Sequence, residues 1–291
     1  MSQEYVIITD STSDLTAEMV RELELTVIPL TFTINGQEYE NHPDGHTLSF
    51  DDFYALIREG KMSTTSALNS THYIDVFEPF LKEGKDVLNI AFSSGLSTTY
   101  QSSARAVEEL SAKYPDRKII SIDSRAACMG LGLLCYHAVQ KKRAGQTIDE
   151  VAQWVTDNRL HMCHWVTVDD LHHLKRGGRV SATTAFVGTA IGIKPIIHVD
   201  DEGHLINVGK VRGKGKSLAH LVDVMEELAV NPSEQVIFIS HSDALEDALA
   251  LEQMVHERFG VKEVHINYIG PVIGSHTGTG TVALFFLGTK R

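Results

Sequence analysis

The chain has 291 residues, 43% hydrophobic and 22% charged, with 26 Lys and Arg against 38 Asp and Glu for a net charge of −12. The length is about twice that of a common single domain, and the composition excludes a disordered, collagen-like or disulfide-stapled chain. The negative field repels phosphate backbones and anionic lipid surfaces, so nucleic acid is not an expected partner.

Tyr5 to Thr9 is an apolar run that ends in Asp10-Ser11-Thr12-Ser13-Asp14. Leu15, Met19, Val20 and Leu23 then follow helical spacing, which predicts strand, polar loop and helix. Leu25 to Ile34 predicts a strand that turns at Asn35-Gly36 and returns through Gln37 to Tyr39 as a hairpin with a type I′ turn. Ser49 with Asp52 opens a helix carrying Phe53, Leu56 and Ile57 on one face and stopping at Gly60. A polar segment from Ser63 to Ser70 follows. From Asp86 the pattern is strand (Val87 to Phe92), polar turn (Ser93 to Ser97), helix (Thr98 to Tyr114), strand (Lys118 to Ile122), a loop at Asp123 and Ser124, and a long helix. Such alternation predicts a parallel sheet covered on both faces, with the Asp10, Ser93 to Ser97 and Asp123 loops sharing the edge where ligands sit.

A second block begins after the Ile148 to Arg159 helix, which puts the expected domains at 1–160 and 161–291. It reads as strand Trp165 to Val168, a basic Gly-rich loop Lys175 to Arg179, strands Ile196 to Val199 and Leu205 to Val211, and a helix burying Leu218 to Leu228. Strand Val236 to Ser240, helix Ala244 to Arg258 and strand Val264 to Tyr268 come next. The Gly-rich segment Gly270 to Gly280 leads into the apolar strand Val282 to Leu287, which could pack with either domain. The expected class is α/β throughout, with antiparallel pairing in the second block.

Three cysteines, Cys128, Cys135 and Cys163, imply no disulfide framework and fit a reducing cytoplasm. Cys128 and Cys135 are seven apart on an apolar helix, which predicts two buried thiols. The N-terminus lacks a basic, apolar signal pattern, and no stretch reaches the 18 apolar residues of a membrane span.

Enzyme signatures are scarce. Gly215-Lys216-Ser217 resembles the end of a phosphate-binding loop, but Lys210 stands where its first glycine is required. No G-x-S-x-G, H-E-x-x-H or C-x-x-C occurs. Spacing at His161 and His164, and at His172-His173, matches no zinc module, so solvated loops are expected there and no metal. What remains is hydroxyls and glycines: Thr65-Ser66, Ser93, Ser94 and Ser97, and Gly274 to Gly280 around His276. These can hold an anionic head group through hydroxyls, backbone N–H groups and one imidazole, with no fixed positive charge. Lys175, Arg176, Arg179, Lys210, Arg212, Lys214 and Lys216 form a basic patch able to dock an acidic partner face. A hydrolase reading would use Ser97 as nucleophile, His276 as base and Asp10 or Asp123 as orienter, without a nucleophile elbow to support it.

In order along the chain, Asp10-Ser-Thr-Ser-Asp14, Ser93-Ser-Gly-Leu-Ser97-Thr-Thr-Tyr-Gln101, Asp123-Ser124 with Met129-Gly-Leu-Gly-Leu133, Leu174-Lys-Arg-Gly-Gly-Arg179-Val180 and Ile269-Gly-Pro-Val-Ile-Gly-Ser-His276-Thr-Gly278 resemble the DegV family. The resemblance covers essentially the whole chain. It implies a two-domain protein, an N-terminal parallel-sheet α/β/α domain and a C-terminal mixed-sheet α/β domain, that holds one long-chain fatty acid between them. It also implies a non-catalytic binding subunit that presents the carboxyl to a separate ATP-dependent fatty acid kinase. By motif, Thr65, Ser97 and His276 are the implied carboxyl ligands, with Ser66, Ser94 and Thr277 beside them; within the basic patch, Arg176, Arg179 and Arg212 are the expected docking residues. Thr65-Ser66 is followed by Ala67-Leu68-Asn69 where the family usually has Gln-Pro-Ser. An imidazole titrating near neutrality at position 276 would tune the charge of the head group.

Overall fold

A computed structural model describes residues 4–169, 171–180 and 192–291. The first half runs β1 (Tyr5–Asp10), α1 (Ala17–Glu22), β2 (Thr26–Ile28), β3 (Thr31–Ile34), β4 (Gln37–Glu40), α2 (Phe50–Arg58), β5 (Ser63–Ser66), α3 (Ser70–Lys82), β6 (Asp86–Ala91), α4 (Thr99–Lys113), β7 (Ile119–Asp123), α5 (Cys128–Arg143) and α6 (Ile148–Asn158). The second half runs β8 (Met162–Thr167), α7 (His172–Arg176), β9 (Ile193–Val199), β10 (Leu205–Arg212), α8 (Lys214–Leu228), β11 (Val236–His241), α9 (Leu245–Phe259), β12 (Glu263–Tyr268), α10 (Pro271–Thr277) and β13 (Val282–Leu287).

Strands β2-β1-β6-β7 form a parallel sheet. Because every strand enters from the same end, the loops after β1, β6 and β7 meet at one edge: Asp10 accepts the Phe92 N–H at 2.9 Å, and Asp123 accepts the Ser94 N–H at 3.0 Å. The second sheet, β10-β9-β8-β13-β11-β12, is antiparallel except where β11 meets β12. Strand β13 therefore sits inside this sheet, between β8 and β11. The chain passes between the sheets from Asn158 to Met162, and we place the division of the two domains there. Helix α5 joins them. Its Leu131, Leu134 and Cys135 share one core with Phe238, Ala283 and Phe285 of the second sheet, as an apolar helix surface must when both sides are covered.

Four local expectations change. The run Leu25 to Ile34 is two strands in two sheets, broken where Pro29 has no N–H to give a ladder. Asn35 and Gly36 do take φ of 53° and 77°, as a type I′ turn needs. The polar segment from Ser63 begins as strand β5, Ser63 to Ser66, paired with β3 in the small sheet β4-β3-β5. Asn69 then caps α3, whose Tyr73, Phe77 and Leu81 bury one face. Lys175 and Arg176 end helix α7, and Pro271 to Thr277 form α10, which returns from the second half to pack on β3, β5 and α2.

Candidate functional site

Between the two sheets lies a cavity of about 500 Å³, inside the usual range for small-molecule sites. Leu30, Phe92 and Leu96 line it from the first half, Val166, Ile197 and Phe285 from the second. Side chains of a strand alternate faces, so Val166 of β8, with Val168 just past its end, and Ala283 and Phe285 of β13 give it a largely apolar floor in which His164 of β8 also stands. Its polar wall is assembled from strand β5, the end of helix α10, the loop after β6 and the turn after α7.

Strand β5 carries Thr65 to the wall, and α10 brings His276 opposite it, with Thr65 Oγ1 and His276 Nε2 2.9 Å apart. His276 Nδ1 has no hydrogen-bond partner among the described residues. The ring lies so close to the turn after α7 that a Cβ on Gly177 would stand 2.3 Å from Nδ1, so only glycine fits there. Burial, with the positive charges of Arg179 and Arg176 nearby, pushes the His276 pKa from 6.5 down to about 4. The imidazole is therefore neutral at pH 7 and does not titrate near neutrality as its ordinary value predicts.

Ser97 reaches the same wall on the loop after β6, its Oγ 2.8 Å from Thr99 Oγ1 and accepting the Thr99 N–H at 3.3 Å. Ser66 is exposed on the lining. Ser94 also lines the cavity, but its hydroxyl donates to Asp123 Oδ2 at 2.6 Å. Thr277, buried, donates to the Ile273 carbonyl at 3.4 Å. All six expected head-group residues thus border one cavity, with different numbers of hydrogen bonds left to offer.

The basic patch is not continuous. Arg179 turns into the cavity wall, where Nε donates to the Leu96 carbonyl at 3.3 Å and the guanidinium also holds the Gly177 carbonyl. A fixed positive charge therefore stands beside the hydroxyls, where none was expected. Arg176 and Arg212 are exposed and outside the lining, Arg176 bonding His173 Nδ1 at 2.9 Å. Lys214 is drawn away to Asp169 at 2.7 Å and to the Gly280 carbonyl at 2.6 Å.

The hydrolase constellation does not assemble. Ser97 bonds Thr99 and not His276, Asp10 faces Thr12 and Phe92, Asp123 faces Ser94 and Arg125, and no carboxylate meets His276 Nδ1 among the described residues.

Sequence reasoning placed His172 and His173 on a loop, whereas they open helix α7, and it also misplaced His164. His164 is buried in β8, not on a solvated loop, with Nδ1 2.9 Å from the Met162 carbonyl and Nε2 accepting the Ala127 N–H at 3.4 Å. Burial, chiefly, and Arg291 push its pKa from 6.5 to about 3. The alternation of His164, Val166 and Val168 was the signal that could have found it. Cys128 and Cys135 are both buried; Cys128 also lines the cavity, its thiol beside Asp14 and its pKa raised mainly by burial. Among the described residues, no group of three or more His, Cys, Asp and Glu could hold a metal, and no helix is long and apolar enough to cross a membrane.

A sequence model described as "Uncharacterised protein, DegV family" matches residues 4–289. A DegV domain-containing protein of Clostridium perfringens is 49% identical over 289 residues, 99% of each chain. Among solved structures, a DegV family protein from Thermus thermophilus, titled for its fatty acid binding, superposes with a TM-score of 0.86 at 28% identity over 98% of this chain and 99% of that one. A protein of Thermotoga maritima, said to reveal fatty acid binding function, gives 0.85 at 25% identity over 97% and 98%.

Proposed function

The chain belongs to the DegV family, and we propose that it binds one long-chain fatty acid in the cavity between its sheets and presents the carboxyl to a separate ATP-dependent kinase. The observation that carries the proposal is the cavity itself, an apolar floor with a wall of hydroxyls, one neutral imidazole and one guanidinium. The names of the two solved relatives agree with it.

A sixteen-carbon tail buries about 15 carbons at about 0.8 kcal/mol each, so the gross gain is on the order of 12 kcal/mol before ordering costs. Its carboxylate cannot follow unpaired into such a space without returning several kcal/mol. Thr65, Ser97 and His276 supply hydrogen bonds, with Ser66, Ser94 and Thr277 around them, and Arg179 favours the ionised form. A neutral imidazole can donate from one nitrogen while Thr65 holds the other.

Phosphoryl transfer needs Mg-ATP and positive charge placed around the transferred group. In this reading the kinase brings both, in the cytoplasm, and the role of this chain is non-catalytic. Arg176 and Arg212, outside the cavity, offer the partner a docking face together with Arg179 at the wall.

The test is native mass spectrometry of delipidated protein incubated with palmitate or oleate, followed by addition of kinase and ATP. One acid per chain and acyl-phosphate formed only when both proteins are present are the expected results. A chain that stays empty overturns the lipid reading, and binding without any acyl-phosphate overturns the kinase partnership.

A further inference from the structure

The floor of the cavity holds a hydroxyl that the fold does not use. Phe285 pairs with His164 and Ala283 with Val166, and the ladder ends at the Val282–Thr167 pair; Thr281, the next residue back along the chain, lines the cavity, as Val168 does. Thr281 lies four residues from Phe285, ~13 Å at about 3.3 Å per residue of strand. It is 0% exposed, as is Val168, while Ala283, Ile197 and Leu174 are 1% exposed. Its backbone is fully engaged, the N–H donating to Ser242 Oγ at 2.8 Å and the carbonyl accepting the Ser242 N–H at 2.9 Å. Thr281 is one of the residues lining the cavity, and its buried Oγ1 has no hydrogen-bond partner among the described residues.

Valine has the same shape, suits a strand at least as well, and leaves no buried oxygen unpaired. A threonine here must therefore be explained by something other than packing. The mouth is distinguishable from this point by both burial and bonding. Thr65 and Ser97 are only half-buried and already hold His276 and Thr99, whereas Thr281 is fully buried and its hydroxyl has no partner among the described residues.

Resting on the lipid reading above, we propose that Thr281 is a second, interior ligand-binding point, and that the cavity selects long-chain acids carrying an oxygen on the tail, as hydroxy or oxo acids do, over plain ones. A plain tail leaves the hydroxyl dehydrated and unpaired, whereas an oxygenated tail closes the bond. Sites built to hydrogen-bond a substrate oxygen discriminate strongly against the analogue that lacks it.

The experiment compares stearate, 10-hydroxystearate and 12-hydroxystearate by displacement of a fluorescent fatty acid from the wild type, Thr281→Val and Thr281→Ser, with circular dichroism to show that each variant is folded. The wild type binds at least one hydroxystearate about fivefold more tightly than stearate. Thr281→Val removes that preference and binds stearate at least as well as the wild type, while Thr281→Ser keeps it. Equal affinity for all three acids in the wild type, or a preference that survives in Thr281→Val, overturns the proposal and leaves the lipid reading standing. Stearate weakened in Thr281→Val as much as the hydroxy acids also overturns it, because Thr281 would then act on the carboxyl. A wild type that binds none of the three overturns the lipid reading itself, and this proposal with it.

Discussion

Two histidines border the same cavity and are pushed the same way by burial, yet their surroundings treat them differently. On the floor, both nitrogens of His164 are met by the protein's own backbone, at Met162 and Ala127. At the mouth, His276 has one nitrogen on a side-chain hydroxyl and the other unpartnered among the described residues. A buried polar group with its bonds complete builds the structure, and one with bonds to spare is placed to receive a ligand.

The sharpest way to test the structural half of that contrast is acid. The pKa of His164 lies at about 3 in the folded chain against an ordinary 6.5, so the unfolded chain binds the proton first. Stability is full above pH 6.5 and falls as pH drops toward 3, by on the order of 4 kcal/mol for this residue. His276, at about 4, adds a loss in the same direction. Urea unfolding from pH 7.5 to 4 checks this. His164→Asn, which keeps a donor for the Met162 carbonyl, is expected to be less stable at pH 7.5 but to show a shallower slope, and an unchanged slope would break the assignment.

A smaller effect tests how closely the domains meet at the floor. Gly→Ala inside a helix ordinarily gains about 1 kcal/mol. Gly130 of α5 is an exception, since a Cβ there would stand 2.2 Å from His164 Nε2. Overpacking of this kind costs about 1–3 kcal/mol, so Gly130→Ala is expected to lower the melting temperature, and the double variant with His164→Ala to lose less than the sum of the two singles.

What the sequence made legible follows the same division. Strands β1, β6 and β7 and their polar loops were readable because a parallel strand buried on both faces is a mostly apolar run, broken here by Asn89 in β6 and Ser121 in β7. Strand β5, Ser-Thr-Thr-Ser, has no apolar alternation; its register comes from β3, about 30 residues earlier in the chain. Helix α3 was hidden by its polar start and by Pro79 inside it, and α10 by glycines that local rules assign to turns. The candidate head-group residues could be named from motifs, but the turn of Arg179 into the cavity and the burial of His164 depend on which elements meet across the two sheets. The alternation of His164 with Val166 hints at the burial of His164, but no local pattern encodes the turn of Arg179.

The smallest effect concerns the mouth alone. Among the described residues Thr65 Oγ1 is the hydrogen-bond partner of His276 Nε2, at 2.9 Å. Thr65→Val keeps shape and β-propensity while removing that bond, so stability falls by about 1 kcal/mol. If Thr65 and His276 together hold the carboxyl, palmitate affinity drops about tenfold, since the hydroxyl is lost and the imidazole is left free to turn. Thr65→Ser restores both, because the oxygen is what matters. Should Thr65→Val bind palmitate as the wild type does while Arg179→Gln does not, the guanidinium holds the carboxyl by itself. The imidazole would then belong with His164 among the groups that build the cavity, and the difference between its two ends would disappear.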